Sequence, residues 1–131
     1  MSEITKPRPK FLALNEIILP LPGKVSILHR VSGAGLFLFL PFLIYMLQLS
    51  LADNPQSAEL FAVLTGNVLV KLIIFGLSWA YLHHFCAGIR YLFLDMHIGL
   101  DKASAYSSAR TVLLVSLALT ALVAWKLFGG H

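Results

Sequence analysis

Long apolar runs, broken by short polar clusters, dominate the chain. Residues 31–52 contain no charged side chain. As a helix they would extend about 33 Å, enough to cross a hydrocarbon core of roughly 30 Å. The turn signal Asp53-Asn54-Pro55 closes this run. A second apolar region covers residues 60–94, with Lys71 inside it. Its charge-free part, residues 72–89, makes about 27 Å of helix. A third run, residues 111–125, makes about 22 Å and becomes adequate if Arg110 and Lys126 reach outward to water. The pattern predicts an all-α membrane protein: a single domain over residues 1–131 with three transmembrane helices at about 27–51, 62–92 and 108–128. Pro20, Pro22 and Gly23 disfavour a helix, so the first helix is expected to begin near Lys24, leaving residues 1–23 as a surface-lying arm.

Basic residues set the expected orientation. Lys6, Arg8, Lys10, Lys24 and Arg30 precede the first span, and Arg90, Lys102 and Arg110 lie around the second loop. The first loop has no Lys or Arg before Lys71, and only Lys126 follows near the end of the third span. The positive-inside rule therefore places the N-terminus and the second loop in the cytoplasm, with a bacterial inner membrane as the simplest location. A mature organellar chain fits the same pattern. The start, MSEITKPRPKF, has neither the apolar core of a secretory signal nor the Arg/Ser-rich character of a presequence.

Composition narrows the chemistry. The chain is 58% hydrophobic and 12% charged, against about 25% charged in a soluble domain. One bundle of 131 residues has no room for a separate catalytic domain, so demanding chemistry must come from a cofactor or a partner. The net charge of +4 is spread out and gives no nucleic-acid signal. A single cysteine, Cys86, excludes an internal disulfide and a cysteine-only metal cage, and its apolar surroundings suit a buried thiol.

The polar residues at membrane depth carry the functional signal. Ser26 and Arg30 share one face of the first helix, and His29 and Gly33 share the neighbouring face. Each has an ordinary explanation: Ser26 as a cap, Arg30 as an interfacial anchor, His29 as a side chain reaching for water. Together they also suit a quinone carbonyl or a haem propionate. In the second span, His83 and His84 lie inside the apolar run, about two turns from Arg90, and an ionisable group there is a functional candidate. The two imidazoles point about 100° apart, so they cannot face one target. Gly76, Ala80, His84 and Gly88 recur at every fourth position, a small ridge centred on a histidine. Such a ridge suits a flat macrocycle ligated by His84, and it equally suits a close helix–helix contact. A haem of the electron-transfer type needs a second axial ligand, and His83, His97 and His131 are poorly placed to give it, so a partner subunit is expected.

Two blocks resemble a known family. "RPKFLALNEIILPLPGKVSILHRVSG", residues 8–33, is similar to an Arg-Pro start followed by Ser-Ile-x-His-Arg-x-Ser-Gly. "HHFCAGIRYLFLDM", residues 83–96, is similar to a His-x-x-x-Gly-x-Arg-His-x-x-x-Asp block. Both are features of the cytochrome b membrane-anchor subunits of succinate dehydrogenase. The specific likeness covers about forty residues; elsewhere only hydropathy and span count agree. The resemblance implies a haem-binding helical bundle shared with a second anchor subunit, and an assembly with an iron–sulfur subunit and a flavoprotein subunit in the lipid membrane. Electrons from succinate would reach ubiquinone through the iron–sulfur clusters, which makes the chain a non-flavin subunit of an enzyme.

By the same resemblance His84 is an axial ligand of haem b, and Ser26 and Arg30 contribute to the ubiquinone site. His29 and Arg30 lie near a haem propionate, and Asp95 either assists proton uptake or fixes Arg90. Tyr91 departs from the pattern, standing where many relatives have histidine, and His83 is an additional histidine. Two other readings fit less of the sequence: an anchor of a quinol:fumarate reductase, and a haem-free membrane scaffold.

Overall fold

The computed structural model describes residues 18–129. Most of the arm expected over residues 1–23 lies outside the described residues, as does His131. Five helices follow in order: α1 (Leu21–Leu38), α2 (Leu40–Leu51), α3 (Pro55–Gly66), α4 (Val68–Asp95) and α5 (Lys102–Phe128). The described residues form an all-α bundle in which α4 packs against both α1 and α5, and α3 joins α2 to the start of α4. Two helices, α4 and α5, are long and apolar enough to cross a membrane. A third span is complete if α1 and α2 count as one, bent by 55°.

Three boundaries differ from the sequence expectation, each for a local reason. Helix α1 begins at Leu21, not near Lys24, with Pro20 at its N-cap and Pro22 in its first turn. The first turn has no use for a proline's missing N–H, and the fixed φ already suits a helix. The first span breaks at Phe39 because Pro41 cannot donate to the carbonyl four residues back, and its ring crowds that turn. The second apolar region divides between α3 and α4 at Asn67, whose side-chain oxygen accepts from the N–H groups of Leu69 and Val70 at 2.8 and 3.3 Å. That cap starts α4 later than expected, and α4 then runs on to Asp95 as a helix about 42 Å long. The expected turn at Asp53-Asn54-Pro55 is present: Asn54 accepts from Ser57 N–H at 2.8 Å and caps α3.

Small residues bring α1, α4 and α5 together. Val25, Ala87 and Ala109 are fully buried and Val112 nearly so, with Leu21, Cys86 and Leu113 packed around them. Along α4 the buried positions are Leu77, Ala80, His83, Ala87 and Arg90, one stripe at helical spacing. Along α5 they are Ala109, Val112, Ser116 and Thr120. In an apolar surround, close approach of small side chains supplies the contact that the hydrophobic effect would supply in water. The hydroxyls bond within their own helix: Ser116 donates to the Leu113 carbonyl at 3.2 Å and Thr120 to the Ser116 carbonyl at 2.7 Å. They therefore cost little when buried. Large apolar side chains such as Phe37, Leu72 and Leu122 point outward, as expected of a lipid-facing or subunit-facing surface.

Replacing the α4 cap tests this account of the break between α3 and α4. Asn67→Ala should lower stability by about 1 kcal/mol, and Asn67→Asp should retain most of it. The measurement is the thermal midpoint of the detergent-purified protein.

Candidate functional site

Helices α1 and α4 meet at a cluster of two histidines, a serine and a glycine. The Nδ1 atom of His84 lies 3.1 Å from the backbone carbonyl oxygen of His29 and 3.3 Å from Ser32 Oγ. Ser32 donates its hydroxyl to the same His29 carbonyl at 2.9 Å. A carbonyl only accepts, so Nδ1 carries a proton and donates it, which in a neutral imidazole leaves the lone pair on Nε2. Among the described residues Nε2 has no hydrogen-bond partner. The His29 ring stacks on His84, with centroids 4.2 Å apart and planes 9° from parallel. Tyr91 leans on His29 from one turn beyond Ala87, at 5.1 Å.

Glycine makes this approach possible. A Cβ on Gly33 would lie 2.8 Å from Cε1 of His84 and 3.2 Å from Nδ1, too close for any ordinary contact. Gly88 lies beside His29 Nε2, at 3.9 Å from where its own Cβ would be. The ridge of small residues along α4 is therefore not an open trench. α1 covers Gly88, Ala80 is buried, and only Gly76 faces open space. The helix-contact reading explains this ridge. What distinguishes His84 is its fixed ring and unpartnered Nε2.

His83 occupies a different environment. It belongs to the buried stripe of α4, is fully enclosed, and stacks on Trp79 at 5.1 Å. Neither ring nitrogen has a hydrogen-bond partner among the described residues. No macrocycle fits around an imidazole sealed between helices, so His83 does not suit a haem iron in this arrangement.

The remaining candidates divide into two groups. Ser26 and Arg30 lie on α1 within one turn of His29; Ser26 is half-buried and Arg30 exposed. Neither makes a side-chain hydrogen bond or ion pair among the described residues, so both can receive a ligand. Arg90 is buried, and α5 holds it: Nε donates to Ser108 Oγ at 2.8 Å and Nη2 to the Ala105 carbonyl at 3.3 Å. The expectation that Asp95 fixes Arg90 is thus corrected. Asp95 is exposed at the last residue of α4 and pairs with no described cation. The reach of Arg90 carries its guanidinium across to α5 rather than along its own helix.

Sequence reasoning gave Ser32 and Ser108 no role. Ser32 was within reach of inference, because it stands three residues after His29 and so shares its face. Ser108 was not, because its partner is on another helix. Among the described residues no three His, Cys, Asp or Glu side chains converge as a metal cage. One imidazole nitrogen, Nε2 of His84, could take a metal only if its other ligands came from elsewhere.

A family model described as succinate dehydrogenase/fumarate reductase transmembrane subunit matches residues 4–123. The chain belongs to that family. Among curated relatives it is similar to the succinate dehydrogenase cytochrome b556 subunit of Rickettsia felis, 31% identical over 92% of this chain and 94% of the relative. The protein of the same name from Coxiella burnetii is 35% identical over 83% of this chain and 87% of the relative. That of Paracoccus denitrificans is 28% identical over 79% of each. The chain is accordingly a transmembrane family member whose relatives are named as cytochromes b.

The tight seat of His84 has a measurable consequence. Gly33→Ala should destabilise the α1–α4 pair by about 1–3 kcal/mol, as overpacking does. In a His84→Ala background the same change should cost much less, and the double-mutant cycle reads the difference.

Proposed function

We propose that the chain is the cytochrome b anchor subunit of a bacterial succinate dehydrogenase, holding haem b through His84 and forming part of a ubiquinone site with Ser26 and Arg30. One observation carries this reading: the His29 carbonyl accepts a hydrogen bond from His84 Nδ1 at 3.1 Å, and Nε2 has no partner among the described residues. A ring so held has its tautomer and direction set, the usual condition of a metal-ligating histidine. Haem b, when bound, supplies one-electron chemistry. The protein's own residues orient the ligand, exclude water with α1, and put cationic or neutral donors at the same end of the bundle. His29 and Arg30, one turn before Gly33, suit the propionates.

Ser26 and Arg30 would act on the quinone, which is substrate. The Ser26 hydroxyl donates to a quinone oxygen, and the Arg30 guanidinium favours the form that gains negative charge on reduction. Asp95, exposed at the same end, is available for proton uptake. Electrons would come from succinate through a flavoprotein subunit and an iron–sulfur subunit docked on that face. A second anchor subunit would complete the bundle and give the other axial ligand. The basic residues at that end support an inner membrane with the N-terminus in the cytoplasm. The family description also names fumarate reductase, so the reverse direction of electron flow is the second reading; the succinate dehydrogenase names of the relatives favour the first.

Two experiments follow. In the complex purified with its partner subunits, His84→Phe should abolish the low-spin haem band, and His83→Phe should retain it. The opposite result would move the ligand to His83. Arg30→Ala should slow quinone reduction on the order of tenfold or more, the worth of a charged hydrogen bond. Succinate oxidation by an artificial acceptor should be nearly unchanged. Equal loss of both activities would give Arg30 a role in assembly instead.

A further inference from the structure

A second cavity, away from His84, lies between α4 and α5 at the end where the two helices are joined. Its volume is about 660 Å³. Arg90 lines it, with Ser104, Ser107 and Asp101 along α5. Ile89 and Val115 are among the apolar residues that line the rest.

A cation and an anion line this cavity without pairing with each other among the described residues. Arg90 is 7% exposed. Two of its donors serve Ser108 and the Ala105 carbonyl, and its guanidinium carbon lies 5.8 Å from the centre of the Tyr91 ring; among the described residues its other N–H groups have no hydrogen-bond partner and no carboxylate pairs with it. A guanidinium so enclosed at a membrane edge demands an anion. Ser107 adds a hydroxyl that makes no hydrogen bond among the described residues, while the Ser104 side chain is turned to the Asp101 carboxylate. One carboxylate also lines the cavity: Asp101, the N-cap of α5, accepting from Ser104 N–H at 3.0 Å. The hydrogen bonds from Ser104 hold the Asp101 carboxyl below the usual carboxylate range, so it stays charged. It stands seven residues before Ser108, about 10 Å along α5.

A purely anionic ligand would meet repulsion at Asp101, and a cation would meet Arg90. A group with both charges, phosphate inward and amine outward, satisfies both. The apolar lining demands acyl chains. We propose that this cavity binds a membrane phospholipid with a primary-ammonium headgroup, its phosphate on Arg90 and the Ser107 hydroxyl, its ammonium on Asp101, and its acyl chains along Ile89 and Val115. A carboxylate accepts a hydrogen bond from a primary ammonium, which a quaternary one cannot give.

The test uses the chain purified in detergent with whatever subunits accompany it, with bound lipid counted by native mass spectrometry. Wild type should retain one phosphatidylethanolamine through extended washing. After stripping, it should rebind that lipid in preference to phosphatidylglycerol by on the order of tenfold. Asp101→Asn keeps the helix cap and should bring the two lipids to near parity. Thr111→Trp, which fills the apolar lining without touching the Arg90 hydrogen bonds, should lower retention of both. No retained lipid in wild type, full retention in Thr111→Trp, or a preference unchanged by Asp101→Asn would each overturn the assignment. The first of these would leave the face to a helix of a partner subunit. None of these outcomes depends on haem or quinone.

Discussion

The close approach of α1 to α4 at Gly33 governs the rest of this structure. Only a residue without a side chain lets the His84 ring reach the His29 carbonyl. That reach removes the freedom of the imidazole: it sets the tautomer, the ring plane and the direction of Nε2. The stacked His29 ring and the Ser32 hydroxyl hold the same arrangement from either side. A histidine merely exposed at a helix surface would rotate among several rotamers, and ordering it would cost free energy at the moment of binding. Here that cost is met when the helices pack.

The two adjacent histidines show how much a single step along a helix changes. His83 and His84 share the same apolar run, yet one is sealed against Trp79 with no hydrogen-bond partner among the described residues, and the other is held at an edge by a backbone carbonyl. An unpaired buried imidazole costs roughly 1–3 kcal/mol. The difference arises from where α1 crosses α4, which is a tertiary fact.

Much of the architecture was legible beforehand. Charge-free runs located the apolar segments, and the Asp53-Asn54-Pro55 turn was read correctly because its chemistry is local. His84 was singled out by the small ridge on α4 and by its place in the second block, as an expectation for the proposal above. The break at Phe39 escaped because hydropathy does not register the N–H that Pro41 lacks. The start of α1 escaped for the opposite reason: prolines that end a helix in its interior are welcome in its first turn. The small ridge on α4 was read as room for a macrocycle, and much of it proved to be the bed of α1. Arg90 was paired with Asp95 because both stand in one block, although its reach is across to Ser108. Local chemistry shows in a sequence; pairings between helices do not.

The most direct measurement is a high-resolution cryo-electron microscopy map of the purified complex, sharp enough to place the histidine rings. The account predicts a planar macrocycle whose iron is bonded by Nε2 of His84, with Nδ1 still on the His29 carbonyl. Iron bonded to His83, or a His84 ring turned away from α1 with no macrocycle beside it, would contradict the account.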